Sequence, residues 1–572
     1  MSYLSCLSIE GSENAVSLLV RQVFKENMQV ADTLNSHADF LPTETCGILF
    51  ASPQTVLGPA RLLWSPKNWP SDGCRCVYFW VHPAIDRETR QLLDLSVQNV
   101  ASSHSTSRCA VSLTLRVLTG QLCRLRLLGR QSHRLLGNIL SPCADTEPNG
   151  DWSVWKHMQT EFHQASLVPD GTVMYLGNCA DFRLNRPTLK LRNRNWVALD
   201  PTESSTSVQS LESSSDVTSS IRSQLRESYN KEASVTWGVM PRSGVHGDSI
   251  HKENQIGIDA LLIRNGSASL LRDYPNSIGW DVVVCRSRFP VKDQTLLRGT
   301  LAARDLLIAC VYRGAEVGGQ RDLHRWATIG TRGRGQTEAF PQSLWPDTKA
   351  GRESEMAARE NRLSRHNRLP VNLRPDYSLL CTSHPFHAPW DELLAENVSI
   401  SHSLQGFSHT TPSVLRSAVF LHCVARPLLE GNSEVLNRLK NTSRFTLLCP
   451  YLLLVHVHCT FRGLPEPCAI LYAPRDEKDL KRYRTPKDER ETNILEVTSN
   501  RVVLGYVQEG GFDYSTGRGS GLGFISLAAL IRAYTASRSN TLCHGFTEVL
   551  MKNPKSNCIR TVHLSIVPTS IP

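Results

Sequence analysis

Aromatic and β-branched residues crowd the stretches RCVYFWVHP (75–83) and GTVMYLG (171–177), a composition and pattern that predict strands with a face on a core. Between them, SHRLLGNILSPC (132–143) groups its apolar positions a helical turn apart and predicts a helix. Residues 1–200 are therefore expected to mix helices and strands. The last third returns to strand patterns in FTLLCPYLLLVHVHC (445–459), CAILYAP (468–474), NRVVLGYVQ (500–508) and CIRTVHLSIV (558–567), and turn residues between them point to a small sheet or barrel. In the middle, QIGIDALLI (255–263) is an apolar run, and DLLIACVYRGAEVGG (305–319) reads as a buried strand closing on a glycine turn.

Two stretches break this patterning. TESSTSVQSLESSSDVTSS (202–220) is almost wholly Ser, Thr and acidic, with too few apolar groups to offset the entropy of ordering it, so it reads as a linker or insertion. From 318 to 377 the chain is polar and basic with few large apolar residues, which predicts an exposed segment ordered by a partner. The divisions that follow are 1–200, a linker at 201–250, a domain at 251–390 holding that basic segment, a connecting segment at 391–444, and a barrel domain at 445–572. Several domains are expected in any case, because 572 residues exceed the roughly 250–300 that one hydrophobic core serves.

Charge sharpens the picture. The chain carries a formal net charge of +10, and 49 of its 63 basic residues are Arg. A guanidinium is a planar fork that pairs with phosphate in two places and stacks on bases, so this excess suits nucleic acid as well as solubility. The 17 Cys are scattered singly, which favours free thiols in a reducing compartment over a disulfide framework. The longest apolar runs, at 447–461 and 524–531, are too short for a membrane span, and the N-terminal residues lack the plan of a signal peptide.

Candidate chemistry is sparse. CTSHPFH (381–387) and VHVHC (455–459) bring His and Cys together, yet neither has the paired second element of a closed zinc site, and no metal is expected. Glycines 517, 519, 521 and 523 imitate a phosphate loop without its Lys and Ser/Thr; in a barrel they permit tight bends and close backbone approach. No nucleophile and base stand out, so no catalytic residue is assigned. Trp280, between a turn and a VVV run, could stack a base, but its setting favours the core, as does that of Trp80.

Taken in order, the blocks resemble a known family. SYLSCLSIEG (2–11), FWVHP (79–83), RLRLLGRQSHRLLGNIL (124–140) and DFRLNRP (181–187) are similar to its N-terminal blocks. GWDVVV (279–284), YRGAEVGGQRD (312–322), FPQSLWPDTKAG (340–351) and RLPVNLRPDY (368–377) resemble its POPLD domain, and LGYVQEGGFDYSTGRGSGLGFISL (504–527) resembles its closing barrel. The family is the largest protein subunit of eukaryotic ribonuclease P and ribonuclease MRP, the processing-of-precursors family. The resemblance implies an α+β, multi-domain fold with a folate-binding aminomethyltransferase-like core and a C-terminal β-barrel. It also implies a non-catalytic, RNA-binding scaffold in the nucleus and nucleolus, supporting removal of the precursor tRNA 5′ leader and rRNA processing. Implied partners are the ribonuclease P and MRP RNAs and the other protein subunits, with precursor tRNA reached indirectly, no membrane and no cofactor. Phosphate contact is then expected of Arg313, Arg321, Arg325, Arg332, Arg334, Arg365, Arg368 and Arg374. Motif positions expected to shape the fold are Trp80, His82, Pro83, Gly279, Trp280, Asp281, Tyr312, Gly314, Gly319, Gly510, Phe512 and Gly523. Met1 directly precedes the SYL strand, where the family carries a long basic region, so the resemblance implies a chain shortened at its N-terminus. The compact turn after GWD is replaced by CRSRFPVKDQTLLRGT (285–300). The alternative from the same fold family is a folate-dependent aminomethyltransferase-like enzyme.

Overall fold

The structure, a computed structural model, describes residues 4–26, 44–52, 55–65, 73–103, 113–119, 122–142, 150–162, 168, 172–180, 182, 258–265, 278–285, 302–330, 338–342, 344–398, 412–432, 434–435, 451–484, 501–536 and 545–567. The 202–220 stretch lies outside them, as does nearly all of 285–300. Two compact units divide the chain, one of residues 1–54 and 59–317, the other of 318–571 with 55–58.

The first unit holds two antiparallel sheets. Strands β1 (Ser5–Ser12), β2 (Phe24–Glu26), β3 (Glu44–Ser52), β4 (Thr55–Trp64), β5 (Cys74–Val81) and β6 (Thr114–Val117) form a six-stranded sheet in the order β2-β3-β4-β5-β1-β6. Strand β1 is buried on both sides: Cys6 joins a core shared with the second sheet, while Leu7 and Ile9 on the opposite face are fully buried. Helices α1 (Glu13–Val23) and α2 (Asp86–Ser103) accompany this sheet. The second sheet orders β7 (Leu122–Leu128), β10 (Gly279–Cys285), β9 (Ile258–Asn265) and β8 (Val173–Cys179), with helices α3 (Ser132–Gly137), α4 (Gly150–Glu161) and α5 (Ala302–Tyr312) packed about it.

Two expectations change here. The divide expected at 250 cuts through the second sheet, because β9 and β10 pair with strands from before the Ser/Thr-rich stretch; the compact units part at 317/318 instead. The run at 305–319, expected as a strand, is helix α5. Its buried residues Ala302, Ala303, Leu306, Ala309 and Cys310 fall three and four apart, and a short apolar run does not by itself distinguish the two periods.

The second unit begins with α6 (Gln320–Arg325), continued by a wide turn at Trp326–Gly330, and α7 (Lys349–Arg368). Helix α7 is the basic segment expected to be exposed, and of its 20 residues only Ala350 and Gly351 are buried. Its ends are well marked. The Thr348 hydroxyl accepts from the Gly351 N–H at 3.0 Å, Arg365, His366 and Arg368 sit in the last turn where the helix dipole favours cations, and Pro370 follows. After α8 (Trp390–Val398), strands β12 (Tyr451–Cys459), β13 (Ile470–Tyr472), β14 (Val503–Asp513), β15 (Arg518–Ser526), β16 (Glu548–Lys552) and β17 (Ile559–Ile566) close into a ring in the order β12-β15-β14-β13-β16-β17, since β17 pairs back onto β12. Strand β11 (Ser413–Val414) adds in parallel to the start of β12. Buried Leu453, Val455, Leu471, Val507, Ile525, Val549, Met551 and Val562 belong to one core supplied from all six strands. The fold is thus α+β, multi-domain, with a closed C-terminal β-barrel.

Candidate nucleic-acid interface

Most motif positions build the scaffold. On β5, Trp80 is buried, with the Arg124 guanidinium 5.5 Å from its ring. His82 accepts the Ala84 N–H on Nδ1 at 3.0 Å and so caps the turn that begins at Pro83. Burial pushes its pKa down to about 4, which keeps the ring neutral and able to accept.

Each residue of GWD has a separate structural task. A Cβ on Gly279 would lie 1.8 Å from the Leu127 carbonyl oxygen, so only glycine lets β10 approach β7 here. Trp280 is fully buried, stacked on His133 at 5.7 Å and edge-on to Trp155 at 5.6 Å, which settles it as core. Asp281 accepts from Arg124 Nε at 2.5 Å and from Arg126 Nε and Nη2 at 2.9 and 3.0 Å. Arg124 reaches on to Glu44 of the other sheet, and Arg61 on β4 bonds both Glu44 and Asn265. Burial alone would raise the Asp281 pKa; the guanidinium groups of Arg124 and Arg126 hold it well below the usual carboxylate range. The network joins the two sheets of the first unit.

The YRGAEVGGQRD block stops one helix and starts the next. Tyr312 ends α5, and Gly314 follows in the left-handed region at φ +98°, with the Ala315 N–H donating to Cys310 O at 3.0 Å. Gly319 is the N-cap of α6, and its N–H donates to Asp322 Oδ2 at 2.8 Å. In the barrel, Cβ atoms on Gly510 and Gly519 would lie 2.2 Å from Pro465 O and 2.1 Å from Gly463 O, and one on Gly523 would lie 2.5 Å from Tyr506 O. The glycines therefore admit close backbone, as their setting predicts, and leave no cradle of the Walker kind. Phe512 stays 41% exposed.

The arginines divide by environment. Arg313 is half-buried at the end of α5. Arg321 and Arg325 are exposed on α6, which is anchored to β14 where His324 Nε2 meets Glu509 at 2.6 Å. Arg365 and Arg368 are exposed on the last turn of α7. Arg374 folds back, donating Nε to Leu369 O at 2.9 Å and Nη2 to Asn367 O at 2.7 Å, and so closes the C-terminal end of that helix. Arg332 and Arg334 lie outside the described residues. At 100° per residue, Arg352 and Arg359 share one flank of α7 while Arg365 and Arg368 lie on the other. Inward between the flanks, Arg362 is bonded to Glu355 at 2.5 Å and to Phe386 O at 2.8 Å. The flank of Arg352 and Arg359 escaped the residue-by-residue selection, although a helical wheel of 349–368 would have revealed it.

One histidine of each His/Cys run has a polar partner. His384 pairs with Glu392 at 2.9 Å, and His456 Nε2 lies 2.6 Å from Ser520 Oγ. Among the described residues no group of three or more His, Cys, Asp or Glu could hold a metal ion. Burial pushes the thiols of Cys76, Cys310 and Cys468 up to about 12, far from the thiolate a nucleophile needs. Among the described residues no helix is long and apolar enough to cross a membrane.

Comparison with known families gives this arrangement its place. The family model of the POPLD (NUC188) domain matches residues 295–390, and that of the POP1 C-terminal domain matches residues 484–568. Over residues 295–390 and 484–568 these two matches support POP1, a protein subunit of ribonuclease P and ribonuclease MRP. A search of curated proteins finds no match. Among solved structures, the glycine cleavage system aminomethyltransferase T from Bartonella henselae is similar at 10% identity and a TM-score of 0.32, covering 99% of this chain and 84% of its own. A TM-score that low carries no weight for chemistry.

Proposed function

We propose that the protein is an RNA-binding scaffold that grips the folded RNA of ribonuclease P and of ribonuclease MRP and leaves bond cleavage to that RNA. In this reading it acts in the nucleus and nucleolus, supports removal of the precursor tRNA 5′ leader and rRNA processing, contacts the other protein subunits, and meets precursor tRNA only through the particle. The observation that carries the reading is helix α7, a solvent-facing rod of about 30 Å with arginines on both flanks. It lies inside the segment matched by the POPLD model. Guanidinium groups on such a rod neutralise phosphates without demanding close geometry, and structured RNA offers mainly backbone and 2′-hydroxyls to a protein. The further candidates are Arg313, Arg321, Arg325, Arg332 and Arg334. Arg374, committed to carbonyl oxygens, serves the helix end more than a ligand.

The test is binding of the full chain to the two RNAs across a salt series. Log affinity should fall linearly with log salt, by about 0.7–0.9 per phosphate neutralised. Crosslinked peptides should fall in 312–377. Tetrahydrofolate titrated by calorimetry tests the folate-dependent alternative, for which no site residue stands out; saturable folate binding without RNA affinity would reverse the assignment.

A further inference from the structure

One end of the barrel carries a surface that the arginine-bearing helix does not account for. The β14–β15 hairpin ends in Tyr514, 82% exposed, whose ring meets that of Phe512 edge-on at 5.3 Å. Its turn is held in shape by Asp513, which accepts from Ser515 N at 2.9 Å, Ser515 Oγ at 2.6 Å and Thr516 Oγ1 at 3.0 Å. The exposed aromatic therefore stands on a fixed base. The loop after β12 reaches the same end of the barrel. Arg518, opposite Asp513 in the ladder, donates to Thr460 O at 2.8 Å, and Gly519, opposite Phe512, lies against Gly463. Between those two loop contacts sits Phe461, 50% exposed. From the other side, α6 sets the Arg325 guanidinium 5.9 Å over the Tyr514 ring.

Charge at this rim is one-sided. Arg321, Arg325, Arg462 and Arg518 are all exposed. The nearby carboxylates are engaged: Asp513 in its turn, Asp322 on the Gly319 N–H, and Glu509 on His324. Exposed aromatic rings on a rigid hairpin, interleaved with unneutralised guanidinium groups, are the combination that holds unpaired nucleotides: bases stack on rings and cations track the phosphates. A duplex would leave the rings idle, because its bases are already stacked on each other.

We propose that this rim, built from Phe461, Phe512, Tyr514, Arg325 and Arg518, is a stacking site for unpaired nucleotides of an RNA. It rests on the RNA-scaffold reading and adds a second, chemically distinct contact to it. The site prefers single strands to duplex and is tolerant of base identity, since every base has a face to stack.

The experiment measures anisotropy of a labelled single-stranded 12-mer of mixed sequence and of a 12-base-pair RNA duplex, each titrated with the full chain. Tyr514→Ala and Phe461→Ala each weaken single-strand binding about tenfold or more and leave duplex binding within about twofold. Tyr514→Phe keeps the affinity and Tyr514→Leu does not, which separates stacking from mere apolar area. Unchanged thermal unfolding of the Tyr514 variants confirms that the fold survives. Equal losses on both probes, or none, overturn the stacking site while salt-sensitive binding of the folded RNAs would still stand. Loss of a protein subunit from the assembled particle with RNA affinity intact makes the rim a protein interface and likewise overturns it. A wild-type chain that binds neither probe nor the folded RNAs removes both proposals together.

Discussion

Replacing Asp281 by Asn takes from the buried Arg124 guanidinium one of its two carboxylate partners and leaves it Glu44. Both oxygens of Asp281 are engaged, its side chain is wholly buried, and that of Arg124 is 3% exposed, so Arg124 has no route to water. An amide accepts on one atom only, and its NH₂ would point donors at donors. Removing one member of a buried pair costs about 3–5 kcal/mol, set mainly by the charge left stranded. Against a total stability of about 5–15 kcal/mol, that is a large share. Urea unfolding followed by tryptophan emission is the assay, since Trp280 and Trp155 lie in the same core as the adjoining strands. The transition of the first unit should move to lower urea, while that of the second unit stays. Asp281→Leu combined with Arg124→Met, which removes that charge along with its partner and leaves Glu44 on Arg61, should recover part of the loss. The sign with pH follows from the depressed carboxyl: its contribution is present above about pH 4, the unfolded value, and is lost as pH falls further. A loss under about 1 kcal/mol for the single change, or a double variant no better than it, would refute the reasoning.

Three further outcomes can be checked. His82, held neutral with a pKa of about 4, contributes stability that is full above about pH 6.5 and is lost as pH falls through 4; His82→Asn keeps a capping acceptor and should flatten the unfolding-versus-pH curve by about 2 kcal/mol over that window. Gly519→Ala drives a methyl against the Gly463 carbonyl and should cost about 1–3 kcal/mol in the second unit's unfolding transition. Arg365→Gln with Arg368→Gln should lower the salt slope of RNA binding by about 1.5 with stability within about 0.5 kcal/mol, whereas Arg374→Gln, which loses two carbonyl contacts, should cost about 1 kcal/mol and leave the slope nearly unchanged.

Legibility in the sequence followed the strength of local pattern. The strands at 75–83 and 171–177 stood out by their aromatic and β-branched residues, that at 558–567 by its alternation, and the helix Ser132–Gly137 by apolar positions a turn apart. The helix at 302–312 did not, because DLLIACVY is apolar enough to suit either period, and only the sheet it packs on selects between them. Basic residues 349–368 were recognised as exposed, yet their division into two flanks is a property of helical phase and invisible as a list of arginines. Phe461 and Tyr514 carried no signal as a pair. They are 53 positions apart, and only the pairing of β12, β15 and β14 brings them to one rim.

Composition and patterning by themselves determined the mixed α+β class, the terminal strands and the arginine-rich exposed segment, and the ordered motif blocks carried the family resemblance, since each is written in local spacing or residue type. Tertiary structure alone decided that Asp281 is a buried ionic tie, that Gly314 stops a helix, and which loop the barrel glycines admit. It also decided where the units part, because a strand's partner is chosen by edge pairing and burial across hundreds of residues, and no window of sequence contains both sides of that choice.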